Sequence, residues 1–182
     1  MTETRKNIES ITTTPDREKQ TVVDEVRDAL ESSGFTIAEE DASRPWGGFI
    51  RLDNQDGDTF VENFFEGLDP EDARLGNPDA ELSPKILIVS PEQRLSWQYH
   101  DRRAERWMFI NDGGYHKSMT DDQAELVAAR AGDVVQFQTG ERHRLVGALG
   151  HYTLVAEIWQ HTDPRQLSNE DDIVRLEDDY KR

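Results

Sequence analysis

The chain has no cysteine in its 182 residues. That excludes disulfide bonds, a thiolate metal centre and a cysteine nucleophile, and it suits a reducing compartment. Long apolar runs are also missing. Residues 1–20 are polar, so no secretory signal is expected, and no stretch has the apolar length that a bilayer crossing needs. Positive charge is scarce: 21 Lys and Arg stand against 38 Asp and Glu, a net charge of −17. A field of that sign repels phosphate backbones and argues against nucleic acid as a partner. An anionic small molecule would need a local basic pocket. The expectation is a cytoplasmic chain that engages neither membrane nor nucleic acid.

The length suits one domain with an appendage. Residues 1–43 read as an N-terminal extension with one amphipathic helix, and 44–182 as the main domain. Residues 1 to about 13 read as mobile. Thr14 is a helix cap and Pro15 a first helical residue, Val23, Val26 and Leu30 recur at helical spacing, and Gly34 is a stop. Residues 44–48 and 54–58 read as turns. Phe60, Phe64, Phe65 and Leu68 share one face of a short helix inside an insertion, 54–84, whose remainder, 69–84, reads as a surface loop. From Lys85 onward, short β-rich runs alternate with turns. Strands are predicted near 85–89, 94–100, 105–111, 114–119, 125–129, 133–138, 143–147 and 151–160. Many short strands without helices between them mean a sandwich or barrel, so the fold class is mainly β. Residues 152–159 are apolar on both faces apart from Thr153 and Glu157, which puts that strand in the middle of the packing.

Four polar residues have a spacing that can converge. Gln98 and His100 are two apart and point to one face of a strand. A short turn then lets Glu105 return on the neighbouring strand. Gly132 and Gly140 bound a hairpin that places His143 at a strand start. Two imidazoles, a carboxylate and an amide oxygen make a mixed site for one divalent ion, suited to Zn, Mn, Fe, Co or Ni more than to Ca or Mg. Glu157, inside an apolar strand, should have a raised pKa and could act as a base; otherwise it is paired with Arg142 or Arg144. Arg144 points away from His143 by strand alternation. Trp97, Trp107 and Trp159 read as core or interface aromatics. His116, His151 and His161 read as surface or structural, and the acidic tail as a solvated face.

This pattern resembles the two cupin motifs, G-x5-H-x-H-x(3,4)-E-x6-G and G-x5-P-x-G-x2-H-x3-N. Gln98 stands at the first histidine, Glu92 at the opening glycine, Gln138 at the proline and Gly147 at the asparagine, and Gly113 closes the first motif one residue late. More narrowly, Arg44-Pro45-Trp46-Gly47, the run from Pro91 to His100, Arg103-Ala104-Glu105-Arg106-Trp107, His143-Arg144-Leu145 and the tail from Glu170 to Tyr180 look like the cupin part of type II phosphomannose isomerases, here in stand-alone form. In that family glutamine is common at the first ligand position. Asp101-Arg102 and Arg106 depart from the family's histidines at the pocket rim.

The resemblance implies a cupin double-stranded β-helix, a jelly-roll barrel, with an N-terminal helix. It implies metal-dependent aldose–ketose isomerisation of mannose 6-phosphate to fructose 6-phosphate or of a related sugar phosphate. Gln98, His100, Glu105 and His143 would hold the metal, and Glu157, Arg103 and Lys85 would be catalytic. Arg103 and Lys85 match functional basic positions of the family; their plain alternatives are a solvated turn arginine and a strand-edge lysine. Proton transfer through Glu157 and a hydride shift both remain open. The alternatives are an isomerase or epimerase of free sugars, of the lyxose or mannose type, or a non-catalytic sugar-binding cupin. A homodimer is expected from symmetry and family habit.

Overall fold

The computed structural model describes residues 2–181. Its elements, in chain order, are α1 (Glu3–Glu9), α2 (Lys19–Ser32), β1 (Ile37–Asp41), β2 (Gly47–Leu52), α3 (Gly57–Phe64) and α4 (Pro70–Ala73), then β3 (Lys85–Val89), β4 (Trp97–Tyr99), β5 (Arg103–Phe109), β6 (Gly113–Ser118), β7 (Val127–Ala129), β8 (Val134–Phe137), β9 (Arg142–Val146), β10 (Thr153–His161) and β11 (Val174–Glu177). One antiparallel sheet has the order β1-β2-β3-β10-β5-β8 and the other β11-β4-β9-β6-β7. The chain is mainly β, and the sheets close on each other as a jelly-roll barrel.

Strand alternation explains how the large sheet serves two purposes. Ile86, Ile88, Met108, Leu154, Ala156 and Ile158 point outward and pack with Val22, Val26 and Leu30 of α2 and Phe60 and Phe64 of α3. Leu87, Val89, Trp107, Phe109 and Val155 point inward and meet Ala129, Phe137 and Leu145. β10 lies between β3 and β5, as expected for a strand apolar on both faces. Its register sets Glu157 beside both Lys85 and Trp107, Trp159 beside Glu105, and His161 beside Arg103. The inner face is therefore apolar at one end and charged at the other.

Several expectations need correction. Residues 3–9 form a helix, not a mobile segment, because Ile8 is fully buried in the outer cluster. The second helix starts at Lys19 rather than at Pro15. The barrel claims the intervening backbone: the Thr13 carbonyl accepts from Tyr152 N–H at 2.8 Å, and the Arg17 carbonyl from the Tyr152 hydroxyl at 2.9 Å. The presumed turn at 54–58 already opens α3 at Gly57. The 69–84 segment contains α4 and is not all surface, since Ala80, Leu82 and Ser83 are buried; the Leu82 carbonyl accepts from Trp159 N–H at 2.9 Å. The acidic tail supplies β11, paired with β4. Glu105 does not return on the strand beside β4, because β4 and β5 belong to opposite sheets.

Gly47 fixes the entry of β2. Its φ is +147°, and a Cβ there would lie 1.9 Å from the Ile88 carbonyl oxygen of the paired strand. Gly34 also has positive φ, at +90°, but has open space around it. Gly47→Ala should therefore cost more than about 3 kcal/mol in urea denaturation, and Gly34→Ala only about 1–2 kcal/mol. Similar costs for the two would mean that the close approach at Gly47 is easily relaxed.

Candidate metal centre

The two sheets bring His100, Glu105 and His143 together at the polar end of the barrel. All three are buried, and their ligating atoms lie within 4.8 Å of one another. Glu105 comes from β5 of the large sheet. His143 comes from β9, and His100 follows β4, both in the smaller sheet. The 138–141 turn fixes His143: Gly140 takes φ +76° there, and its N–H donates to the His100 carbonyl at 2.8 Å. The His143 ring stacks on Phe137 at 4.5 Å and meets the edge of Trp107 at 5.3 Å. Both rings hold the imidazole without competing for its nitrogens.

The protonation pattern follows from the partners. His100 Nδ1 lies 2.6 Å from the Asp172 carbonyl, and His143 Nδ1 lies 2.9 Å from the Glu141 carbonyl. A carbonyl only accepts, so each Nδ1 carries a proton, and the lone pair of a neutral ring is then at Nε2. Those lone pairs face a carboxylate: His100 Nε2 is 3.0 Å from Glu105 Oε1, and His143 Nε2 is 3.3 Å from Glu105 Oε2. Glu105 Oε2 and His143 Nε2 are buried without a hydrogen-bond partner. Burial pushes the His100 imidazole below its ordinary pKa. Burial works against the Glu105 charge, yet His100, whenever its ring is protonated, and the Arg103 guanidinium hold its carboxyl well below the usual range. An ionised carboxylate between lone pairs is repulsive until a cation joins them, and two nitrogens with one carboxylate suit a borderline divalent ion. The residues present fit such an ion.

Gln98 stands directly opposite His143 across the β4–β9 pair. Its amide oxygen accepts from the Ser96 hydroxyl at 2.6 Å, and Gln98 lines the same cleft as Glu105. Arg103 is buried and is not a solvated turn residue. It donates to Glu105 at 2.9 Å, to Ser168 Oγ at 3.0 Å and to the Asn169 and Asp172 carbonyls at 3.1 Å each, and it lies over the Trp159 ring.

A cleft of about 310 Å³ opens beside the cluster, lined in part by Gln98, Glu105, Arg103, Lys85, Glu157 and Glu170. Glu157 is buried. It accepts from Trp107 Nε1 at 2.9 Å and lies 3.9 Å from Lys85 Nζ; neither Arg142 nor Arg144 is its partner. Burial, and then the Glu105 charge, push its carboxyl up to about 7. Lys85 is buried and pairs more closely with Glu170, at 2.9 Å. Arg144 points away from the cluster, as expected, and is covered by the tail: it donates to the Glu177 carbonyl at 3.1 Å and to Gln123 at 2.8 Å. His161 is structural, bridging the Glu81 carbonyl and Ser168 N–H.

The tail residues Ser168, Glu170 and Asp172 were missed as site residues. For Glu170 and Asp172 the signal was the match of 170–180 to the resembling family, which composition alone reads as solvated charge; Ser168 lies outside that match.

The double-sheet barrel, with a His-His-Glu group drawn from both sheets, is a cupin. The model of the family described as mannose-6-phosphate isomerase C-terminal matches residues 78–178, and the chain belongs to that family. Among solved structures it is similar to the capsular polysaccharide assembling protein CapF of Staphylococcus aureus, with 15% identity, a TM-score of 0.51, and coverage of 95% of this chain and 42% of that one. It is also similar to a mutant of Bacillus subtilis oxalate decarboxylase, with 13% identity, a TM-score of 0.51, and coverage of 76% of this chain and 30% of that one. At these identities the likeness shows the fold alone, and the chain spans less than half the length of either protein. No curated protein matches the chain in sequence. Among the described residues, no helix is long and apolar enough to cross a membrane.

Two predictions follow from the electrostatics. Zn²⁺ at about a hundred times its dissociation constant should raise stability by about 2.7 kcal/mol. Glu105→Ala should abolish that increment, read by denaturation with and without metal. Glu157 carries the opposite kind of term. Its folded pKa is raised, so its contribution is fully present below about 4.5 and is lost as pH rises through about 7. In chelator-treated protein, Glu157→Gln should gain on the wild type across that window by on the order of 1–3 kcal/mol. A difference that stays flat with pH would mean that the carboxyl titrates normally.

Proposed function

We propose that the chain is a metal-dependent sugar-phosphate isomerase that interconverts an aldose and a ketose, with mannose 6-phosphate and fructose 6-phosphate as the pair to test first. One arrangement carries the reading: Glu157, a carboxyl pushed up to about 7 by burial and by the Glu105 charge, lines the same cleft as Glu105 and Gln98. A general base works best with a pKa near the working pH.

His100, Glu105 and His143 would hold the ion, with Gln98 as a fourth donor. When bound, the ion supplies Lewis-acid polarisation of sugar oxygens. Glu157 would take the proton from C2 of the open-chain aldose, leaving an enediolate with its charge on the C1 oxygen. Transfer of the O2 hydroxyl proton to O1 and return of the C2 proton to C1 give the ketose. Trp107 Nε1–H holds one Glu157 oxygen, which leaves the other for the substrate. Lys85 would orient the sugar or its phosphate. Arg103 is committed to Glu105 and the tail, so its role is to hold the ligand carboxylate.

A second reading, isomerisation of a free sugar, is favoured by the pairing of Lys85. Its ammonium is already met by Glu170 at 2.9 Å, which weakens its hold on an added anion.

The test is a panel of sugars and sugar phosphates, assayed on metal-loaded protein by product chromatography. Conversion of the phosphorylated pair is expected. Glu157→Gln should lower kcat by about 10²–10⁴-fold, and wild-type kcat/KM should rise with pH to a plateau above about 7. Lys85→Met should raise KM for the phosphorylated sugar more than for the free one. Conversion of free sugars alone selects the second reading, and no conversion of any member defeats both.

A further inference from the structure

We propose that Asp172, in the segment between β10 and β11, is a positioning residue for the metal ligand His100, so that the C-terminal segment is part of the metal centre. The two histidines are oriented in different ways. His143 Nδ1 is held by the Glu141 carbonyl, two residues away in the same turn. His100 lies just beyond the end of β4, and its Nδ1 is held by the Asp172 carbonyl, 72 residues further along the chain. That carbonyl also accepts from Arg103 Nη1 at 3.1 Å. It sits on irregular backbone, so something other than a strand ladder must fix it.

The Asp172 side chain does so. Its Oδ1 accepts from Asp101 N–H at 2.9 Å. Its Oδ2 accepts from Arg102 N–H at 3.1 Å and from the Ser168 hydroxyl at 2.7 Å. One residue thus grips the backbone that follows His100 with its carboxylate and the His100 ring with its carbonyl. The loop so closed leaves the imidazole little freedom to rotate or to move its proton to the other nitrogen. Asp172 is only 5% exposed, so water competes weakly for these bonds. Partners of this kind that orient a metal-bound histidine typically change affinity by about 10–100-fold when removed.

The tail is anchored at a second place that does not touch His100, where Arg94 meets Asp179 at 2.7 Å. This separates positioning from a general loosening of the tail. In the full chain, Zn²⁺ affinity is measured by competition with a chromogenic chelator for the wild type, Asp172→Ala, Asp172→Asn and Asp179→Ala. The imidazole nitrogens of the metal-free proteins are followed by ¹⁵N NMR at a pH where the rings are neutral. Asp172→Ala should bind Zn²⁺ about 10–100-fold more weakly, and its His100 should leave the single Nδ1–H tautomer. Asp172→Asn keeps one acceptor oxygen and should recover part of the loss. Asp179→Ala should match the wild type in both readouts. If Asp172→Ala does not fold, Asp172→Asn carries the test, and weaker binding with a mixed His100 tautomer supports the proposal. Unchanged affinity in the Asp172 variants, or an equal loss in Asp179→Ala, overturns it. Wild-type protein that takes up no Zn²⁺ defeats the metal centre itself, a failure distinct from that of the positioning role.

Discussion

The buried charge of Glu105 is the constraint around which the barrel is arranged. A carboxylate with almost no solvent contact needs compensation from the protein or from an ion. The chain supplies part of it through Arg103, which reaches Glu105 from two residues away on β5. The rest is left to two imidazoles whose protons are turned away from the carboxylate and toward backbone carbonyls. That arrangement is poor as a self-contained salt bridge and good as a socket for a cation.

Holding that socket requires rigidity on both sides of the large sheet. The helices cover its outer face, so β3, β10 and β5 are clamped from behind while their inward residues form the charged end of the cavity. Residues 168–180 tie the two sheets together, since β11 extends the smaller sheet beside β4 while Glu170 reaches Lys85 on β3 of the large sheet. Asp172 meets His100, Glu170 meets Lys85, and Asp179 meets Arg94. The cupin core is thus held by two segments that lie outside the motif residues.

The sequence made the β-rich half readable because turn residues punctuate it at short intervals and its motifs have fixed spacing. Eight strands from Lys85 to His161 were located, and His100, Glu105 and His143 do converge. Gln98 arrives beside the cluster, with its amide oxygen taken by Ser96. What remained hidden depends on tertiary contact. A helix at 3–9 has little amphipathic signal of its own and is held by burial of Ile8. The start of α2 is displaced by backbone bonds to Tyr152 that no local pattern encodes. The tail reads as solvated charge because sequence shows its acids but not the Lys85, Arg94, Arg144 and His100 that meet them.

Charge also separates the cleft from the rest of the molecule. The chain is strongly acidic as a whole, yet Arg44, Lys85, Arg103 and Arg175 all line one cavity. Facing them are Glu39, Glu105, Glu157 and Glu170, so the local balance is even where the surface average is far from even. Two of those four carboxylates are weak opponents of an incoming anion. Glu105 is turned to the imidazoles, and Glu157 is driven toward its neutral form by burial. Of the other two, Glu39 is met by Arg51 at 3.3 Å, and Glu170 sits on Lys85 and keeps its charge. A negatively charged ligand entering this cleft would compete for Lys85 with Glu170 of the protein's own tail.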